Sequence, residues 1–148
     1  MTISTDKQLP LWPAVDRDAA SVQYFDAAAR GELLMQQGPG GAVLGPEVRT
    51  CPETGSAELT KVAVSGRGAL VTWVVVHHAP LPILAAAVPY VSGVVELDEG
   101  PWLMVRLVDV EGVELRAGLP VEVAFVRSGN ADDDPLHEVL PVFTPSHP

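Results

Sequence analysis

The chain has 148 residues, which is enough for one modest domain that buries a core without disulfide bonds. Its 19 acidic and 9 basic residues give a formal net charge of -10, which argues against binding to a nucleic-acid phosphate backbone. A single cysteine, Cys51, excludes an internal disulfide, and the first residues show no apolar leader. The most apolar stretch, residues 83–95, is shorter than the roughly 18 residues that span a bilayer. These features predict a cytoplasmic protein that binds neither nucleic acid nor membrane.

The first predicted element is a short helix at residues 18–30. Asp18 is a suitable N-cap, and Gly31 fits the position just past the end of a helix. Tyr24 and Phe25 are adjacent aromatic residues in this helix. Its apolar face packs either on the rest of the chain or on a partner protein, and the pattern leaves both alternatives open.

The remainder of the chain predicts a mainly β protein. Residues 36–56 contain five glycines and three prolines, which are typical of loops with at most a short strand or two. Five apolar runs separated by turn residues follow, at residues 62–78, 90–97, 102–108, 121–126 and 139–143. Five strands in a closed sheet are typical of an OB-type barrel. The first run is apolar on both faces and predicts one long coiled strand, with a bulge at residues 65–68 and a hairpin loop at residues 98–101.

The sequence shows no arrangement of catalytic side chains. His77 and His78 are neighbours on a strand, so their side chains point to opposite faces and at most one faces any given cavity. Ser65 lacks the flanking pattern of a nucleophile elbow. We therefore predict that the chain has no catalytic residue and is not an enzyme.

Two further features have structural interpretations. Trp73 and Trp102 lie in apolar runs, and we expect both to pack in the core. The three consecutive aspartates at residues 132–134 predict a solvated loop between the last two strands, with metal binding as the alternative.

Several segments together resemble one known family. They read VSGRGALVTWVVVHHAP at residues 64–80, PYV at 89–91, VELDEGP at 95–101, LPVF at 140–143, YF at 24–25 and GELLMQ at 31–36. In this order and spacing they closely resemble the DUF35 OB-fold family, over residues 22–143. The resemblance implies a five-stranded OB-fold barrel preceded by a short N-terminal helix and a rubredoxin-like zinc ribbon.

The ribbon of this chain departs from the family pattern, in which two Cys-x-x-Cys pairs hold zinc. The matching positions here are Gly38, Gly41, Cys51 and Thr54, so one thiol remains where a structural zinc site needs four ligands. We expect no zinc, a ribbon that is either held by packing or partly disordered without a partner, and an inert rather than a reactive Cys51. The resulting domain prediction is an N-terminal extension at 1–17, helix and linker at 18–34, degenerate ribbon at 35–59 and barrel at 60–148.

The resemblance also implies a function, since family members accompany thiolase-like proteins and assist reactions of acyl-CoA thioesters. It implies a non-catalytic accessory subunit of a thiolase-like aldolase or thiolase, docked through the helix and ribbon with Tyr24 and Phe25 at the contact. We expect no tightly bound cofactor, with acyl-CoA as a substrate shared with the partner. The candidate CoA contacts are Arg67, His77, Arg49 and Arg106. The alternative is a free-standing acyl-CoA or small-ligand-binding protein, and for His77 the alternative is a solvent-exposed strand end.

Overall fold

The computed structural model describes residues 15–129 and 138–147. Within them lie one α-helix, α1 (Val22–Ala29), and eight strands. The strands are β1 (Leu33–Gln37), β2 (Val43–Leu44), β3 (Thr60–Val64), β4 (Arg67–Val76), β5 (Tyr90–Leu97), β6 (Trp102–Leu107), β7 (Pro120–Arg127) and β8 (Val139–Pro145). The predicted acidic loop at residues 132–134 lies outside the described residues.

Strands β4 to β8 form a closed barrel in the order β4-β5-β6-β8-β7, with β7 pairing back to β4. Neighbouring strands are antiparallel, except that β6 and β8 meet in parallel at Leu107 and Phe143. An irregularity between Leu70 and Thr72 shifts the register of β4 against β5 and lets the long strand curve around the barrel. The prediction of a mainly β protein with a five-stranded OB barrel is confirmed, as is the hairpin at residues 98–101 that joins β5 to β6.

The remaining strands form a separate three-stranded antiparallel sheet in the order β2-β1-β3. The prediction of one continuous strand at residues 62–78 is therefore wrong, because β3 ends at Val64 in the small sheet and β4 begins at Arg67 in the barrel. Gly66 turns the chain between the two sheets with a φ of 76°, and its carbonyl accepts a 2.7 Å hydrogen bond from the Val123 N–H. The bulge predicted around Gly66 is thus a connection between sheets.

Helix α1 packs on both β1 and β8 and so links the small sheet to the barrel. It begins at Val22, later than the predicted N-cap. Asp18 instead accepts a 2.9 Å hydrogen bond from the Ser21 N–H and stabilises the turn that leads into the helix. Gly31 ends the helix with a φ of 78°, as expected for the residue past a helix end.

One hydrophobic core serves both sheets. Leu33 and Met35 of β1 are buried in the same cluster as Leu70, Phe125 and Phe143 of the barrel. Strand β1 lies in the stretch predicted as linker and ribbon, and its alternating apolar residues attach the small sheet to the barrel. None of the helices in the described ranges is long and apolar enough to cross a membrane.

Candidate docking and ligand sites

The loops of the small sheet bring together three of the four positions that correspond to the family's cysteines, Gly38, Cys51 and Thr54. Cys51 is buried at 1% exposure, and a Cβ atom at Gly38 would lie 2.8 Å from its Sγ. A hydrogen bond from the Thr54 side chain lowers the pKa of Cys51, assisted by the backbone N–H groups of Thr54 and Glu53. Gly38 and Thr54 are therefore neighbours of one buried sulfur atom.

These residues do not fit a zinc ion. Gly38 and Gly41 offer no side-chain ligand and Thr54 has only a hydroxyl, whereas structural zinc is held by four thiolate or imidazole ligands. Elsewhere in the described ranges, no group of three or more His, Cys, Asp or Glu side chains could hold a metal ion. That the chain binds no zinc stays a prediction for metal analysis to test.

The four candidate CoA contacts do not meet in one place. Arg67 begins β4 and His77 follows its other end, so roughly 30 Å of strand, measured along the chain, separates them. Arg49 lies in the loop after β2 and lines a cavity of about 670 Å³ between α1 and the small sheet. Lys61, Asp18 and Glu47 line the same cavity, so its charge is mixed.

Arg106 lies on β6, and its guanidinium carbon is 4.1 Å from the centroid of the Tyr90 ring. Burial lowers the pKa of Arg106, and the interaction with Tyr90 opposes this shift. This pair lines a cavity of about 510 Å³ that also includes Asp109 and Glu111. An anionic ligand would meet one cation beside two acidic residues there, so direct CoA contact by Arg106 stays a prediction.

The aromatic pair of the helix divides between the core and the surface. Phe25 is only 9% exposed, and its ring packs edge-on against Tyr24 with centroids 5.7 Å apart. Burial raises the pKa of Tyr24 to about 12, and Glu47 adds to the shift. For Phe25 the structure favours packing on its own chain over contact with a partner; Tyr24 is half-buried against the core, and both rings line an open groove.

The prediction that Trp102 packs in the core is wrong. Trp102 is 60% exposed and Met104 is 83% exposed, because alternate residues of β6 point outward while Leu103, Val105 and Leu107 pack inward. Trp73 does pack against the core, as predicted. We call the two outward apolar residues Trp102 and Met104 the β6 face; the third outward residue of the strand is Arg106.

A groove of about 580 Å³ runs beside this face, between β6 and the helix. Tyr24, Leu140 and Pro141 line it together with Trp102 and Met104. The apolar surface therefore continues from the barrel to α1. This surface was not predicted from the sequence. Its signal in the sequence is the pair of large apolar residues, Trp102 and Met104, at alternate positions of β6.

The closed barrel with its attached three-stranded sheet and short helix defines an OB-fold protein. A family model described as ChsH2, C-terminal OB-fold domain, matches residues 61–126. A DUF35 domain-containing scaffold protein of Pyrococcus furiosus is 33% identical over 96 residues, which cover 65% of this chain and 70% of that protein. The chain belongs to the DUF35 family.

Two further relatives are larger or part of an assembly. A probable enoyl-CoA hydratase alpha subunit of Thermomonospora curvata is 34% identical over 137 residues, covering 92% of this chain and 40% of that protein. This chain thus spans about two fifths of the length of that relative. A solved structure described as the Ltp2-ChsH2(DUF35) aldolase has a TM-score of 0.70 at 32% identity, and the match covers 90% of this chain and 98% of that chain.

Proposed function

We propose that this chain is a non-catalytic accessory subunit of a thiolase-like enzyme, an aldolase or thiolase, that acts on acyl-CoA thioesters. The observation that carries the proposal is the likeness, over 98% of its length, to the DUF35 chain of a structure described as an aldolase. Relatives described as a scaffold protein and as a hydratase subunit also support an auxiliary role beside an enzyme.

The side chains of the described residues favour a partner that supplies the chemistry. The thiol of Cys51 is buried and enclosed by its own loop. His77 and His78 are exposed just after the end of β4. A nucleophile and a base must lie within hydrogen-bonding reach to act together, and these groups are on different parts of the chain.

The alternative function is a free-standing acyl-CoA or small-ligand-binding protein. The cavity of about 670 Å³ beside Arg49 and Lys61 favours it, since CoA carries phosphates that two cations would attract. Asp18 and Glu47 in the same wall weaken that attraction. We therefore prefer the accessory role.

An affinity pull-down of the tagged chain from extract of its own cells tests the proposal, with the tag alone as control. We expect a thiolase-like protein to co-purify and its activity on acyl-CoA thioesters, or its solubility, to depend on this chain. Recovery of the chain alone with bound acyl-CoA would favour the alternative. Recovery of the chain alone without ligand would contradict both.

A further inference from the structure

The β6 face exposes an unusual combination of side chains for a solvated strand. Trp102 and Met104 stand at alternate positions with 60% and 83% of their surface exposed. Met104 pairs across the sheet with Val94, so the apolar surface extends onto β5. Contiguous exposed apolar surface marks interaction sites, and aromatic residues and Met are enriched at the centres of protein interfaces. These observations indicate a surface that another molecule covers.

The rim of this surface is mainly acidic, with three carboxylates against one cation, Arg106, which stands on the same side of β6, lines the groove and packs over Tyr90. Glu96 lies directly across from Trp102 in the β5–β6 register, and Asp98 follows in the hairpin loop. Glu47 lines the groove on its other side, and all three residues are exposed. An acidic rim around an apolar centre selects a partner with Lys or Arg around an apolar pocket.

The same charges disfavour a second copy of this chain as the occupant. A symmetric contact would place Glu96 and Asp98 of one copy near those of the other, between chains that each carry a formal charge of -10. Like charges brought together at an interface oppose association. The complementary occupant is therefore a different protein with a basic rim.

We propose that the β6 face and its groove are the docking surface for the catalytic partner subunit, which presents an apolar pocket rimmed by Lys or Arg. This inference rests on the proposed function. It places the main partner contact on Trp102 and Met104 rather than on the buried Phe25, where it was predicted from the sequence. Tyr24 contributes from the wall of the groove.

Alanine substitutions in the purified complex test the surface. Trp102→Ala and Met104→Ala are each expected to weaken the affinity for the partner on the order of tenfold or more, as buried interface anchors do. Ile83→Ala is the matched control, because Ile83 is 61% exposed. It lies in the connection that enters β5 at Tyr90, and Tyr90 is roughly 20 Å along that strand from Glu96, so the substitution should leave the affinity unchanged. Thermal unfolding of each variant checks that the fold is retained.

Charge reversal tests the chemistry of the partner. Glu96→Lys is expected to slow association, because it places a cation at the acidic rim opposite the partner's basic rim. Faster association of Glu96→Lys would contradict the basic rim. Full affinity of both alanine variants, or loss of affinity only in Ile83→Ala, would overturn the docking surface.

Photo-crosslinking identifies the occupant directly. With Met104 replaced by benzoylphenylalanine in the complex, we expect a cross-link to the partner subunit. A cross-link only to a second copy, or only to residues 1–14 of the same chain, would overturn the inference. If the unchanged chain recovers no enzyme at all, the proposed function fails together with this surface, whereas a complex that tolerates both Trp102→Ala and Met104→Ala refutes the surface alone.

Discussion

Gly66 is the residue on which the connection between the two sheets depends. It has a φ of 76°, in the left-handed region that favours glycine, and the Val123 side chain occupies the space where a Cβ atom would stand. Gly112 has a similar φ of 72° but nothing within 4 Å of a Cβ position. Comparing an alanine substitution at Gly66 with one at Gly112 therefore separates the cost of backbone strain from the cost of a steric collision.

We predict that Gly112→Ala lowers the free energy of unfolding by about 1–2 kcal/mol, the cost of a left-handed alanine. Gly66→Ala should lower it by about 1–3 kcal/mol more, because the added methyl group displaces Val123 from its place on β7. Chemical denaturation of both variants and the unchanged chain measures the difference. Equal losses would mean that the turn at Gly66 is not packed against β7.

The outward orientation of Trp102 was not predicted from the sequence. Large apolar side chains hold two of the three outward positions of β6, and only Arg106 at the third indicates which side faces solvent. The structure resolves this, because Leu103, Val105 and Leu107 pack inward and Trp102 points outward. Because large apolar side chains occur on both sides of the strand, the sequence pattern of an exposed docking strand resembles that of a strand packed in the core.

At the scale of elements, the strand positions were largely predictable because turn residues separate apolar runs. The run at residues 62–78 was not, because residues 65–68 fit a bulge within one strand as well as a turn between two, and only tertiary pairing assigns β3 to the small sheet and β4 to the barrel. The candidate CoA contacts likewise lie on separate elements, which spacing along the chain could not reveal. Gly38 and Cys51 were matched only through a family resemblance, and the loops of the small sheet do place them together.

The replacement of three of the family's four cysteines in the loops of the small sheet leads to a prediction about zinc binding. We expect metal analysis of the purified chain to find no stoichiometric zinc, because Cys51 is the one thiol at the ribbon. Combining Gly38→Cys, Gly41→Cys and Thr54→Cys should restore a site that binds one zinc per chain, since positions 38 and 51 already lie in contact, and zinc binding must offset the strain of a side chain at position 41, where φ is 91°. Stoichiometric zinc in the unchanged chain would contradict the ligand argument. Failure of the triple variant to bind zinc would contradict the retained geometry.

A second element-scale prediction concerns the junction of α1 with β8. The Arg17 guanidinium donates hydrogen bonds of 2.6 Å and 2.8 Å to the two carboxylate oxygens of Glu138, and a third of 2.6 Å to Asp26 in α1. The bond from Arg17 lowers the pKa of Glu138 below its ordinary value of 4.5. A carboxyl whose pKa is lowered by folding stabilises the fold above its unfolded pKa, and this contribution is lost as the pH falls through the folded pKa.

We therefore predict that Glu138→Gln lowers the Tm at neutral pH and that the difference from the unchanged chain disappears as the pH falls below about 4. Glu32→Gln is the control, because the Glu32 contact with Arg30 is 3.4 Å long between exposed side chains and should contribute little at any pH. Thermal unfolding across the pH range makes the comparison. A Tm difference for Glu138→Gln that persists in acid would show that the ion pair is not its cause.

At the scale of the whole molecule, the formal charge of -10 governs how the chain meets its partner. If the partner carries a basic rim, long-range attraction raises the association rate and salt screens it, since the Debye length falls from about 14 Å to about 4 Å between about 0.05 M and 0.5 M salt. The apolar contacts of Trp102 and Met104 are short-ranged and affect mainly dissociation.

We predict that added salt slows association severalfold and leaves the dissociation rate nearly unchanged, as measured by surface plasmon resonance on the purified complex. Trp102→Ala should show the reverse, with faster dissociation at an unchanged association rate. Association that accelerates with salt would mean that the partner surface is itself acidic, and the complementarity argued from Glu96 and Asp98 would then be wrong.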